Sequence, residues 1–173
     1  MNLEDASYVE AWVKTLPASK MVRPVTLARY AKYVFWGFYT PYHSRVRDAL
    51  TSLGIVKHEG RQDFFLGFVA DHLSLQEFIS RLVEQGFGNH FVAWREEGEL
   101  VSLRYVENFE MQYHLRVFKD REVRGHYEYT PECHAVWHMR EVDMEERRPQ
   151  FLDFLGDVIV SKPADKYKNQ SVQ

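Results

Sequence analysis

Residues 111–138 constrain the fold more than any other part of the chain, because polar and apolar residues alternate on both sides of a short turn. Alternation with a period of two predicts a pair of β-strands with one polar and one apolar face. The stretch also contains four of the eight histidines in the chain. It is therefore both the centre of the predicted fold and the richest source of side chains that can move protons or bind ligands.

The length of the turn decides whether these polar residues share one face. A two-residue loop would divide them between the two faces, whereas a three-residue loop at residues 119–121 pairs Arg116 with Arg124 and His114 with His126. We predict the three-residue loop, because it also gathers the apolar residues on the opposite face. The candidate catalytic or ligand-binding residues on the polar face are then His114, Arg116, Arg124, His126 and Glu128.

The predicted register has two local consequences. Arg121 takes a positive φ angle, where glycine is usually preferred. Arg116 and Arg124 lie opposite each other, and two like charges in that position need an anion or a nearby carboxylate.

Composition limits the class of protein. A chain of 173 residues with 45% hydrophobic residues can form one domain or two small ones with a packed core. It has no apolar run of membrane-spanning length, and its first residues lack the pattern of a signal peptide. The single cysteine, Cys133, excludes an intramolecular disulfide and is typical of a reducing compartment. We therefore expect a cytoplasmic protein without a membrane partner.

Apolar periodicity and capping residues predict an α+β fold: N-terminal helices, then an antiparallel sheet with helices packed on one face. The expected domains are 1–68 and 69–160, followed by a flexible tail at 161–173. Predicted helices are 3–16, 25–38, 44–53, one from a Ser74 capping box to Gly86, and one starting at Pro149. Predicted strands are 55–58, 62–68, 90–95, 100–106 and the two strands within 112–129.

Residues 44–56, Ser-Arg-Val-Arg-Asp-Ala-Leu-Thr-Ser-Leu-Gly-Ile-Val, follow two predicted helices and precede a short predicted hairpin. This order over residues 3–68 resembles a winged helix-turn-helix, with 57–62 as the wing. The resemblance implies duplex DNA as a partner, a recognition helix in the major groove and a wing on the phosphates. It implies contacts from Ser44, Arg45, Arg47, Lys57 and Arg61. Seven basic and no acidic residues between positions 11 and 47 favour the same reading.

Two chemical interpretations of the polar sheet face are open beside simple exposure to solvent. Arginines can hold a phosphate or carboxylate, and a histidine beside Glu128 can transfer a proton. That set indicates an acidic small molecule or a phosphorylated substrate. The second interpretation is a zinc or iron site, because His134 and His138 are four residues apart and His126 and Glu128 could complete it. No recognised metal-binding signature is present, so no metal or other cofactor is favoured.

The sequence thus predicts a nucleic-acid-binding or regulatory protein whose C-terminal part senses a ligand or dimerises. The first alternative is an enzyme that uses the cluster of histidine, arginine and glutamate on an acidic substrate. The second is a structural or interaction protein without chemistry. The aromatic second helix could stack on bases or form a core or a homodimer interface, and we favour the core or interface.

Overall fold

The alternating residues around the predicted turn form the middle of a six-stranded antiparallel sheet with the strand order β2-β3-β4-β5-β1-β6. The computed structural model describes residues 3–55, 64–90, 96–134 and 144–161, and the side chains of 7–55, 65–90, 96–134 and 146–161. The strands are β1 Phe64–Val69, β2 Gly88–Asn89, β3 Glu99–Val106, β4 Met111–Phe118, β5 Glu122–Tyr129 and β6 Ile159–Val160. The α-helices are α1 Leu3–Val13, α2 Leu27–Tyr39, α3 His43–Ser52, α4 Leu75–Glu84 and α5 Met144–Leu155. The α+β class and the antiparallel sheet predicted from the sequence are confirmed.

The register of the central hairpin is as predicted. β4 and β5 pair His114 with His126 and Arg116 with Arg124, across a three-residue loop. A shift by one residue would have exchanged the two faces, because side chains alternate along a strand.

The predicted positive φ at Arg121 is present, with a value of 76°. This arginine is buried, and its guanidinium donates to the backbone carbonyls of Val69, Ala70 and Leu73, with the Nη2 bonds at 2.6 and 2.7 Å. These bonds explain why an arginine occupies a conformation that favours glycine, since they fasten the hairpin turn to the end of β1.

The apolar face of the sheet carries the hydrophobic core. Tyr113, Leu115 and Val117 of β4 pack there with buried residues of α1, α4 and α5. Gly125 of β5 makes room for α5, because a Cβ atom at this position would lie 2.8 Å from the ring of Phe151. The predicted capping box of α4 is present, with Glu77 N–H donating to Ser74 Oγ and Ser74 N–H donating to the Glu77 carboxylate.

The start of the last helix differs from the prediction. α5 begins at Met144, and Pro149 lies inside it rather than at its first turn. Proline at a helix start is only a preference, and the Glu-Glu-Arg-Arg run before Pro149 has good helix propensity, so the helix tolerates the hydrogen bond that proline cannot make.

The second and third helices form a helical arm over residues 27–52. α2 continues into α3 through one 3₁₀ turn at Thr40–Tyr42, and the backbone of Tyr39, Thr40 and His43 stays in the right-handed helical region. Val46 and Ala49 of α3, and Leu53 directly after it, are exposed, because the described part of the chain provides no surface that covers them. The predicted wing, 57–62, lies outside the described residues. Residues 64–66, predicted as its return strand, belong to β1, which pairs with β5 and β6 in the sheet.

Candidate metal centre

The polar face of the sheet is built from three neighbouring strands, β3, β4 and β5. Cross-strand pairing places Arg104 of β3 beside His114 of β4, which pairs with His126 of β5. The next pair towards one end is Gln112 with Glu128. These five side chains are buried, although an antiparallel sheet commonly leaves its polar face in water.

Three donor atoms converge at the centre of this face. His114 Nδ1 and His126 Nε2 are 2.6 Å apart, His126 Nε2 is 3.3 Å from Glu128 Oε2, and His114 Nδ1 is 4.0 Å from Glu128 Oε1. Ligands that stand about 2.0–2.2 Å from a tetrahedral zinc ion are about 3.3–3.6 Å from one another, and the three separations bracket this spacing. Two imidazoles and one carboxylate are a common ligand set for zinc and for non-haem iron.

Neighbouring side chains orient these three groups. Ser102 Oγ is hydrogen-bonded to Nε2 of His114. When the hydroxyl accepts the Nε2 proton, Nδ1 presents its lone pair to the centre, which is the tautomer that a metal ligand needs. Gln112 Nε2 donates to Glu128 Oε1 at 2.8 Å and holds the carboxylate in place.

A buried ion pair lies on one side of the cluster. Arg104 donates from Nη2 and Nη1 to the two oxygens of Glu132, at 2.9 and 3.2 Å. The same guanidinium donates to Gln112 Oε1 at 3.1 Å and from Nε to Ser19 Oγ. The orientation of Glu128 therefore depends on Gln112, and that of Gln112 on Arg104.

The two arginines that were predicted to hold an acidic ligand, Arg116 and Arg124, are instead contacted by carboxylates of the protein itself. Arg116 and Arg124 are bridged by Glu96, at 2.8 and 3.0 Å. Arg116 also donates to Glu99 Oε2, and Arg124 donates to Glu122 at 2.6 Å. The like-charge pair thus has the nearby carboxylate that its register requires, and the arginines are engaged by it.

The other histidines predicted for a metal site are elsewhere or not described. His134 is half-buried and packs edge-on against the ring of Tyr129 at 4.6 Å, and burial lowers its pKa. His138 lies outside the described residues. Cys133 is buried 3.6 Å from Lys32 Nζ, and burial raises the pKa of its thiol.

The residues predicted to contact DNA are partly described. Arg45 is exposed on α3, and Arg47 forms an ion pair with Asp48 at 2.9 Å. Ser44 is half-buried near the start of α3, while Lys57 and Arg61 lie outside the described residues. Their role in nucleic-acid binding stays a prediction.

Sequence reasoning missed the partners that surround the histidines, namely Ser102, Arg104, Glu132, Glu96 and Glu99. Ser102 and Arg104 lie on the polar face of β3, at every second position of the strand. The alternation of residue types within β3 could therefore have revealed them. Glu132 lies in the turn after β5 and Glu96 in the turn before β3, where no periodic pattern applies.

These features define an α+β protein with a buried cluster of two histidines and a glutamate on the polar face of an antiparallel sheet. Comparison with known protein families, with curated proteins and with solved structures found no match to this chain. None of the helices in the described ranges combines the length and hydrophobicity that crossing a bilayer requires.

Proposed function

We propose that the protein binds a divalent transition metal, zinc or iron(II), through His114, His126 and Glu128. The observation that carries the proposal is the convergence of their three ligand atoms, all within 4.8 Å of one another, at a buried point. In the predicted regulatory protein with a ligand-sensing C-terminal part, this metal ion would be the ligand.

The charges of the buried face support a cation at this point. Arg104 pairs with Glu132, and Arg116 pairs with Glu99. Glu128 is the third buried carboxylate of this face, and it lies beside His114 and His126. A buried carboxylate that stays ionised needs a nearby positive charge. The two imidazoles can supply it in two ways, by sharing an added proton or by coordinating a metal.

The arrangement around the ligands favours the metal over the proton. A proton shared between the two imidazoles would account for their 2.6 Å contact alone, whereas a ligand atom of Glu128 also lies within 4.8 Å of both. The hydrogen bonds of Ser102 and Gln112 orient the ligands from outside, as partners of metal ligands do in known sites. Metal binding is consistent with the positions of all five side chains.

The acidic-substrate hypothesis receives less support from the same face. Glu96 and Glu99 already satisfy the arginines that would have held a phosphate or carboxylate. We therefore assign the buried face to metal binding.

The test is elemental analysis of the full chain, purified without an affinity tag and then incubated with zinc or iron(II) under reducing conditions. We expect about one equivalent of bound metal, which is lost on acidification because histidine ligands must be neutral. His114→Ala and Glu128→Gln should lose the metal. His72→Ala should retain it, because His72 is exposed and outside the cluster.

Glu128→Gln is the more informative variant because it preserves the shape of the side chain. Circular dichroism should show that it is folded, and the cobalt(II)-loaded wild type should show visible ligand-field bands that this variant lacks. Less than roughly a tenth of an equivalent of metal in the folded wild type would refute the proposal, because structural sites of this kind bind strongly.

A further inference from the structure

The helical arm, which we define as residues 27–52, has an exposed apolar surface that the metal centre does not explain. α2, the 3₁₀ turn and α3 contain no buried residue, and the structure describes all of them. Helices of this length are marginal in water by themselves, and most of their stability in proteins comes from packing an apolar face. The arm therefore needs a surface that covers it.

The apolar residues of α2 form a stripe on its outer side. Leu27, Tyr30, Val34 and Phe38 follow helical spacing, and Leu27 and Phe38 are 85% and 76% exposed. The opposite side, with Arg29, Trp36 and Tyr39, is half-buried. An amphipathic helix of a monomer directs its apolar stripe inward, so this orientation is the reverse of the usual one.

The exposed area is large enough for a stable interface. The large apolar side chains exposed between positions 25 and 55 are Val25, Leu27, Tyr30, Tyr33, Val34, Phe35, Phe38, Tyr42, Val46, Leu53 and Ile55. With roughly 150–250 Å² for each aromatic side chain, they leave on the order of 1,000 Å² of apolar surface. Standard interfaces bury about 800 Å² on each partner, so an interface here would use most of this surface.

The charges of the arm favour a second copy of the chain over a nucleic acid. Arg29 is paired with Glu110 at 2.7 Å, and Arg47 is paired with Asp48. Nucleic-acid surfaces present lysines and arginines to phosphates, whereas the outer stripe of α2 is aliphatic and aromatic. Arg45 is exposed on α3, but the outer stripe of α2 (Leu27, Tyr30, Val34 and Phe38) carries no charged side chain, so two stripes can pack against each other without opposing like charges.

We propose that the helical arm is the interface of a homodimer, in which the arms of two copies pack against each other around a twofold axis. A twofold interface uses the same patch on both subunits, so one self-complementary apolar stripe is sufficient. Tyrosine and phenylalanine, which are abundant in the arm, are enriched at such interfaces. This proposal is independent of metal binding.

The test is light scattering coupled to size-exclusion chromatography of the full chain from about 1 to 100 μM. We expect a dimer that the double variant Leu27→Glu/Phe38→Glu converts to a monomer. Both side chains are exposed within one chain, so the variant should remain folded by circular dichroism. The matched control is Leu152→Glu, which makes the same change at an exposed position of α5 and should leave the dimer intact.

Hydrogen exchange provides a second measurement that does not depend on a variant. The amides of residues 27–52 should exchange more slowly as the protein concentration rises, whereas those of β4 should not change. A wild type that is monomeric over the whole range would overturn the proposal, and so would a double variant that remains dimeric. Monomeric wild type whose duplex DNA binding is lost in the double variant would assign the arm to nucleic acid instead.

Discussion

The ion pair between Arg104 and Glu132 allows a quantitative test of how the polar face is stabilised. Their side chains are 8% and 6% exposed, and the closest contact is 2.9 Å. At an effective dielectric constant of about 20, two unit charges at this distance attract each other by about 6 kcal/mol, from which the cost of removing both from water must be subtracted. Removing one partner leaves the other charge buried and uncompensated, and such changes cost about 3–5 kcal/mol.

We therefore expect Glu132→Gln to lower the free energy of unfolding by about 3–5 kcal/mol. The double variant Arg104→Met/Glu132→Leu should recover most of this loss, because well-packed apolar residues often replace a buried pair without cost. The control is Glu110→Gln, which breaks the partly exposed pair with Arg29 and should cost no more than about 1 kcal/mol.

Urea unfolding at pH 7, followed by circular dichroism, measures all three variants. If Glu132→Gln lowers the free energy of unfolding by less than about 1 kcal/mol, the Arg104 guanidinium does not depend on Glu132 for its charge balance, and the reasoning is refuted. Metal affinity gives a second measurement, since Arg104 positions Gln112 and Gln112 positions Glu128. Loss of such an outer partner typically lowers metal affinity about 10–100-fold.

Two further predictions concern single residues. Arg121→Gly should destabilise the protein by about 2 kcal/mol or more in urea unfolding, although glycine suits a φ of 76°, because three buried carbonyls lose a charged donor. A variant as stable as the wild type would show that those bonds contribute little. Cys133 should react slowly with a disulfide reagent at pH 8, because the raised pKa of its thiol leaves less thiolate than in a free cysteine. Equal rates for the folded and the urea-unfolded chain would contradict this.

The alternation of side chains between the two faces of a strand explains why the register of the central hairpin could be predicted. With a side-chain period of two, only an odd loop separates the polar residues from Tyr113, Leu115 and Val117, so pattern and loop length together define one register. The pairing of His114 with His126 follows directly, and so does the positive φ at Arg121. The capping box of α4 is equally local, because Ser74 and Glu77 are three residues apart.

Burial of the polar face could not be predicted in the same way. It depends on Ser19, Glu96 and Glu132, which come from turns and connectors at distant positions in the chain. The alternation of polar and apolar residues is the same whether the polar face is exposed to water or covered by other parts of the protein. The sequence pattern therefore leaves both alternatives open. The direction of the apolar stripe on α2 is ambiguous for a similar reason, since the period gives the stripe but not the surface that it faces.

The charges on adjacent strands contain information that the period alone does not. Arg104, Arg116 and Arg124 lie on the polar face of three neighbouring strands, and Arg116 and Arg124, which face each other, need carboxylates nearby. Glu96, Glu99 and Glu122 supply these carboxylates, and polar groups buried beside them need partners within the protein. The two histidines and Glu128 lie next to this arrangement, and the proposed metal ion would contact all three.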